Sequence, residues 1–304
     1  MAIQPKVAVL GAGAVGSFFG GMLARSGVPV TLIGRRRHVD AIEKDGLLID
    51  GVQVHERVHV AATTDPSGVR GADLVLFCVK STDTESAAKE LALHLRNSAL
   101  VLSLQNGVDN AERIEAASGI DAIPVVVYVA ASIPSPGVVK HAGAGNLIVG
   151  GAHRRPELDP VAVTFEKAGV PCRISETIET ELWTKLILNC AYNAISALTQ
   201  ARYGRISADP HARAVMLRAT REALAVAHAS GVALSETDTV ESVLRLADRM
   251  PEATSSTAQD IARGAPTEID ALNGYLVRRG AELGVEVPVN QALYALVKLL
   301  SEKV

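Results

Sequence analysis

The residues best suited to chemistry in this 304-residue chain fall in a few short segments. Gly11, Ala12, Gly13, Ala14, Val15 and Gly16 spell Gly-x-Gly-x-x-Gly directly after the apolar run Val7-Ala8-Val9-Leu10, and a helical pattern follows at once. In that context the first glycine allows a tight turn, the second lets the backbone approach a pyrophosphate, and the third lets helix and strand pack closely. The first turn of the helix then offers unpaired N–H groups and a partial positive charge to the phosphates. A second apolar strand, 29–33, ends in Gly34-Arg35-Arg36-Arg37-His38. NAD sites usually place Asp or Glu at that end, to bind the ribose 2′-hydroxyl. Arginine there suits a 2′-phosphate, which a guanidinium can grip with two hydrogen bonds. At roughly 1.5–3 kcal/mol per charge-assisted bond, one or two such contacts favour NADP over NAD by about ten- to several-hundred-fold. Arg35, first after the strand, is the candidate, and Arg36 could share the work.

Lys80 and Asn106 follow two further apolar strands, 73–79 and 99–104. Ligands of an open parallel sheet bind at the carboxyl ends of its strands, so both residues are expected in the crevice that holds the cofactor. Farther on, Lys185, Asn189 and Asn193 recur every four residues within an otherwise apolar stretch and share one helix face. A buried lysine or amide needs partners, so the stripe is either a satisfied helix–helix contact or the wall of a polar site. Trp183 and Tyr192 in the same stretch read as core. Ser256 and Glu268 lie near helix starts, where capping and the helix dipole explain such residues without invoking a ligand.

These residues need a scaffold with two parts. Strands and helices alternate through the first half, with a small hairpin around Asp50-Gly51, capping boxes at Thr82/Glu85 and Asp109/Glu112, a strand over 122–131 and antiparallel strands over 138–151 finishing the sheet. From about Ser175 the periodicity is helical: 182–198, a helix capped by Asp209-Pro210 that runs toward Gly231, then 238–249, 256–263, 267–283 and 290 to the end. The expected fold is an α/β Rossmann-type nucleotide-binding domain, residues 1–177, followed by an all-α C-terminal domain, residues 178–304, with substrate between them.

Composition narrows the function further. Net charge is −3 with 48% hydrophobic residues, which gives no reason to expect nucleic acid or an anionic membrane as partner. No apolar run reaches the roughly 18 residues of a membrane span, and the N-terminal segment does not resemble a signal peptide. Three widely spaced cysteines, Cys78, Cys172 and Cys190, form neither a disulfide framework nor a zinc motif and suit the cytoplasm. No metal site is expected. An apolar helical domain could pair with a second copy as a homodimer.

The chain resembles the ketopantoate reductases (2-dehydropantoate 2-reductases) over essentially its whole length. The resemblance rests on GAGAVG, the arginine after strand two with His38 close by, CVKS, LQNG, LWTKLILNCAYNAI and SSTAQDIARGAPTEIDALNGYLV. It implies a Rossmann domain followed by a helical domain, NADP(H) as cofactor, and reduction of 2-dehydropantoate to pantoate for pantothenate and coenzyme A. It implies Lys185 as the general acid, and Glu268 as a glutamate near that lysine and the substrate hydroxyl. It places Asn189, Asn193 and Ser256 on the substrate side, and Lys80 and Asn106 at the cofactor–substrate junction. Tyr203 stands where some members carry an asparagine. The alternatives are a reductase of another 2-oxo acid, branched or opine-type, and a non-catalytic NADP-binding sensor.

Overall fold

The computed structural model describes residues 5–151, 153 and 155–302. They form two compact units, one of residues 1–105 and 109–178, the other of residues 106–108 and 179–304.

The first unit is built on the strand–helix alternation. In chain order it contains β1 (Val7–Leu10), α1 (Ala14–Arg25), β2 (Val30–Ile33), α2 (Arg36–Asp45), β3 (Leu47–Gly51), β4 (His55–Val58), β5 (Ala61–Thr63) and β6 (Leu74–Phe77). Then come α3 (Thr84–Ala92), β7 (Leu100–Ser103), α4 (Asn110–Ser118), β8 (Ala122–Ser135), β9 (Val138–Gly150), α5 (Leu158–Lys167) and β10 (Cys172–Ser175). The sheet runs β4-β3-β9-β8-β7-β6-β1-β2-β5, with β10 paired to β9. Strands β5, β2, β1, β6, β7 and β8 are mutually parallel. Period-two side-chain alternation explains why these strands are apolar throughout: Val7 and Val9 pack in one core with Phe19 and Leu23, while Ala8 and Leu10 pack in another with Phe77, Leu91 and Ile114. Because β2 and β6 flank β1 on opposite sides, the end of β1 is where strand order reverses, the usual place for a ligand in such sheets.

Several local expectations are corrected. The small hairpin expected around Asp50-Gly51 forms, but its second strand lies at His55–Val58, because Gly51 N–H closes the turn on Val54 O at 2.8 Å. The Thr82/Glu85 capping box does not form. A 3-10 turn, Ser81–Asp83, precedes α3, the helix starts at Thr84, and Arg113 takes Glu85 through a double contact of 2.8 and 3.0 Å. Asp109 occupies the cap position of α4 without a side-chain cap bond. A single long strand, β9, replaces the several expected over 138–151, and α5 and β10 lie where the pattern announces no element.

The second unit is helical: α6 (Ile178–Thr199), α7 (Tyr203–Ala208), α8 (Pro210–Ala229), α9 (Glu236–Arg249), α10 (Ser256–Ala262), α11 (Asn273–Leu283) and α12 (Pro288–Ser301). Its axis is α6, where Trp183, Leu186, Ile187, Cys190, Ala191 and Tyr192 are all buried, as the apolar stretch demands. Asp209 caps α8 by accepting from His211 and Ala212 N–H, with Pro210 behind it. The helix expected over 267–283 is broken. A 3-10 turn, Ile269–Ala271, comes first, and the chain bends at Leu272. Buried Asn273 pulls the chain inward there, donating to Asn290 Oδ1 at 2.9 Å and Cys190 O at 3.4 Å. Glu268 therefore precedes a 3-10 turn rather than sitting in the first turn of an α-helix. Among the described residues no helix is long and apolar enough to cross a membrane.

Candidate active site

The glycine loop has the local geometry its sequence requires. Gly11 has φ +102°, and a Cβ there would lie 2.6 Å from Val79 N and 2.7 Å from Cys78 C, backbone that cannot yield. A Cβ on Gly16 would lie 2.3 Å from Gly11 O and 2.7 Å from Val9. Gly13 differs: it is exposed, and a Cβ there would meet nothing within 4 Å. No protein neighbour calls for glycine at 13, so the open space beside it fits a dinucleotide pyrophosphate brought against the backbone and the first turn of α1. Ala12, Ala14 and Val15 complete this loop, anchored by Ala12 N–H to Ile33 O at 2.8 Å. Arg35 immediately precedes α2 and is exposed, and among the described residues no hydrogen bond or ion pair holds its guanidinium. Both segments suit the cofactor.

Lys80, part-buried, opens the 3-10 turn after β6, the strand beside β1. The end of β7 is fixed by a residue the sequence reading passed over. Gln105 is buried; its Oε1 accepts from Ser103 at 3.1 Å, and its Nε2 donates to Val79 O at 3.1 Å and to Thr84 at 2.8 Å. This tie between the ends of β6 and β7 sets the backbone from which Asn106 emerges. The sequence signal was present, a glutamine between an apolar strand and Asn-Gly, but glutamine at a strand end is too common to single out.

Asn106 belongs with the helical unit and joins residues that nothing in their spacing connects. The Lys185 ammonium donates to Asn106 Oδ1 at 3.0 Å, and Asn106 Nδ2 donates to Glu268 Oε2 at 3.0 Å. One amide thus bridges an ammonium and a carboxylate, each satisfying the end that suits it. Burial pushes Lys185 down to about 8, and the Glu268 carboxylate keeps it from falling further. One and two helical turns along, Asn189 is part-buried and Asn193 buried. Among the described residues neither side-chain amide makes a hydrogen bond, which suits groups reserved for a ligand. Ser255, not Ser256, caps α10: its hydroxyl accepts from Ala258 N–H at 3.0 Å and donates to Asn193 O at 3.2 Å. Exposed Ser256 follows, so α10 is tied to α6 at Asn193 through the preceding residue. Trp183 and Tyr192 are core, and Cys190 is a buried thiol whose burial raises its pKa. Tyr203 opens α7 with its ring 4.6 Å from that of Tyr192.

A parallel sheet with a glycine loop at its reversal point in the first unit, and in the second a part-buried ammonium of lowered pKa held by an amide, are features that suit an oxidoreductase using a pyridine nucleotide. The comparisons narrow the class. The family described as ketopantoate reductase PanE/ApbA matches residues 7–154, and its C-terminal part matches residues 177–301. A 2-dehydropantoate 2-reductase of Halobacterium salinarum is 38% identical over 304 residues, covering 97% of this chain and 98% of the relative. A crystal structure of a PanE/ApbA family ketopantoate reductase from Ralstonia eutropha JMP134 is 50% identical, with TM-score 0.93 over 98% of this chain and 99% of that one. A D-mandelate dehydrogenase, solved with NADH and anilino(oxo)acetate, has TM-score 0.91 at 25% identity, covering 98% and 99% of the two chains. The chain belongs to the ketopantoate reductase family.

Proposed function

We propose that this chain reduces 2-dehydropantoate to pantoate with NADPH, in pantothenate and coenzyme A biosynthesis, and that Lys185 is the general acid. The Lys185–Asn106–Glu268 cluster carries this reading. When bound, the nicotinamide supplies hydride to the C2 carbonyl. As the carbonyl carbon accepts that electron pair, negative charge grows on its oxygen. The Lys185 ammonium stabilises the charge and gives up a proton to form the C2 hydroxyl. A lysine near 8 does this better than an ordinary one, because it stays largely protonated at neutral pH yet releases its proton more readily. Asn106 aims the ammonium, and Glu268 holds Asn106 and keeps the lysine charged. Asn189, Asn193 and Ser256 orient the substrate's carboxylate and hydroxyl, and Lys80 and Asn106 serve the junction with the cofactor.

The first unit then serves as the NADP-binding domain and the second as the substrate domain. Residues 11–16 receive the pyrophosphate and Arg35 the 2′-phosphate. The free thiols of Cys78, Cys172 and Cys190 support a cytoplasmic setting, and the helical unit is the surface through which a homodimer would form.

A second reading keeps the chemistry and changes the substrate to another 2-oxo acid. It is favoured by the likeness to D-mandelate dehydrogenase and by Tyr203, a bulkier side chain than the asparagine of some relatives. Loss of NADPH absorbance with purified protein tests both, using 2-dehydropantoate, 2-oxoisovalerate and an aryl 2-oxo acid in parallel. Turnover preferring 2-dehydropantoate supports the first reading, and preference for either other acid replaces it.

A further inference from the structure

His38 is a buried histidine with no place in the chemistry above. It lies in the first turn of α2, directly after exposed Arg35, Arg36 and Arg37. Its ring connects segments remote in sequence. Nδ1 accepts the N–H of Gly137, in the turn between β8 and β9, at 3.0 Å. A backbone amide can only donate, so Nδ1 carries the lone pair and the ring proton sits on Nε2. Nε2 lies 3.0 Å from Ser17 Oγ and is therefore the donor in that bond. The Ser17 hydroxyl is left free to donate to Ala12 O at 3.3 Å, within the glycine loop. Burial lowers the ring's pKa, which favours this neutral tautomer.

The same residue reaches the arginine segment through its backbone, for His38 N–H donates to Arg35 O at 2.9 Å. The two segments also touch: a Cβ on Gly34 would lie 2.8 Å from Ala12 Cβ. One side chain thus fixes the loop that receives the pyrophosphate against the segment that carries the 2′-phosphate arginine. Two anion-binding points on one rigid ligand reward a fixed spacing, since ordering already present is not charged against binding.

We propose that His38 is a positioning residue for the dinucleotide, its ring locking the glycine loop to the Arg35 segment at the spacing that a 2′-phosphorylated cofactor requires and so setting the preference for NADP(H) without touching it. This rests on the reading above that residues 11–16 and Arg35 hold NADPH. The test compares His38→Ala, His38→Gln, His38→Asn and Ser17→Ala with the unaltered protein by direct titration of NADPH and NADH, followed by kcat and KM. Loss of one buried hydrogen-bond relay should raise the NADPH Kd by about tenfold. The NADPH-to-NADH affinity ratio should fall by a similar factor, while kcat at saturating cofactor stays within about twofold. Glutamine reaches the position of Nε2 and can still donate to Ser17, so it should restore the ratio; asparagine reaches only the position of Nδ1 and should not. Ser17→Ala should lower the ratio with His38 in place. An unchanged ratio in Ser17→Ala and in folded His38→Ala overturns the proposal, as do equal defects in the glutamine and asparagine variants, which would mark a packing role. If Arg35→Ala erases the preference and the His38 series does not, the Arg35 reading stands and this one falls. If the unaltered protein binds neither dinucleotide, both fall.

Discussion

Replacing Glu268 by glutamine removes one charge from the Lys185–Asn106–Glu268 cluster and little else. The isosteric amide can still accept from Asn106 Nδ2, which now lies 3.0 Å from Glu268 Oε2, so the bridge to Lys185 can persist. What changes is the field at the ammonium. Across two hydrogen bonds and one amide, carboxylate and ammonium are separated by roughly 7 Å, which at an effective dielectric constant of about 20 is about 2.4 kcal/mol. Lysine 185 stands near 8 with the carboxylate present. Without it, the pKa should drop by roughly 1.8, to about 6.2. The sign follows from the lysine's proposed role as an acid: activity should be present while it is protonated and be lost as pH rises through its pKa. The unaltered enzyme should thus show an alkaline limb in kcat/KM centred near 8. In Glu268→Gln that limb should move down by about 1.8 pH units, costing roughly fifteenfold at pH 7.5 from protonation alone. The assay is the pH profile of kcat/KM at saturating NADPH, with NADPH affinity titrated separately to show that binding is unaffected. A limb that stays near 8 in the variant would refute the argument that Glu268 acts by holding the proton on Lys185.

Other expectations follow from the same geometry. Lys185→Ala should lower kcat by about 10²–10⁴ while NADPH binds as before, which single-turnover kinetics and cofactor titration would check. Arg35→Ala should weaken NADPH by about ten- to a hundred-fold and leave NADH nearly unaffected, since that guanidinium has no structural bond to lose; equal loss of both would remove it from the 2′-phosphate site. Gly13→Ala should leave Tm unchanged but impair dinucleotide binding, because a Cβ there meets no protein atom. Gly16→Ala should instead cost about 1–3 kcal/mol of stability, because its Cβ would overlap Gly11 O. Thermal melts with and without NADPH separate the two. Asp209→Ala, remote from the site, should cost about 0.5–2 kcal/mol through the lost α8 cap, with kinetics unchanged.

Features that depend on neighbours in sequence are legible in the sequence alone. The glycine loop, the continuous apolar strands buried on both faces, the Asp209-Pro210 cap and the polar stripe on α6 each follow from spacing over a few residues. Features decided by distant partners are not. Thr82 and Glu85 have capping-box spacing, yet Arg113, 28 residues beyond Glu85, takes the carboxylate. The stretch through Glu268 has helical periodicity, yet Asn273 turns the chain toward Asn290 and Cys190, and a 3-10 turn results. The four residues of β10 carry too little pattern to separate a strand from a loop, and they become a strand only because β9 lies beside them.

The Lys185–Asn106–Glu268 cluster shows the same division. Lys185 could be recognised as a polar residue in an apolar helix, but the partners that hold its ammonium, Asn106 directly and Glu268 through it, stand 79 and 83 positions away on opposite sides. Asn106 leaves a β-strand of one unit and clusters with the helices of the other, so its Oδ1 reaches Lys185 while its Nδ2 reaches Glu268. Exchanging it for aspartate would test that arrangement more sharply than deletion. Asn106→Asp can still accept from Lys185, but it has no donor for Glu268 and sets two carboxylates against each other. The added negative charge beside the ammonium should raise the lysine pKa and move the alkaline limb of kcat/KM above 8, while the lost bridge lowers kcat. The amide therefore supplies what neither charged neighbour can, a donor and an acceptor on one rigid group. If the limb instead moved down in Asn106→Asp, the lysine's proton would be governed by something other than the field of this cluster.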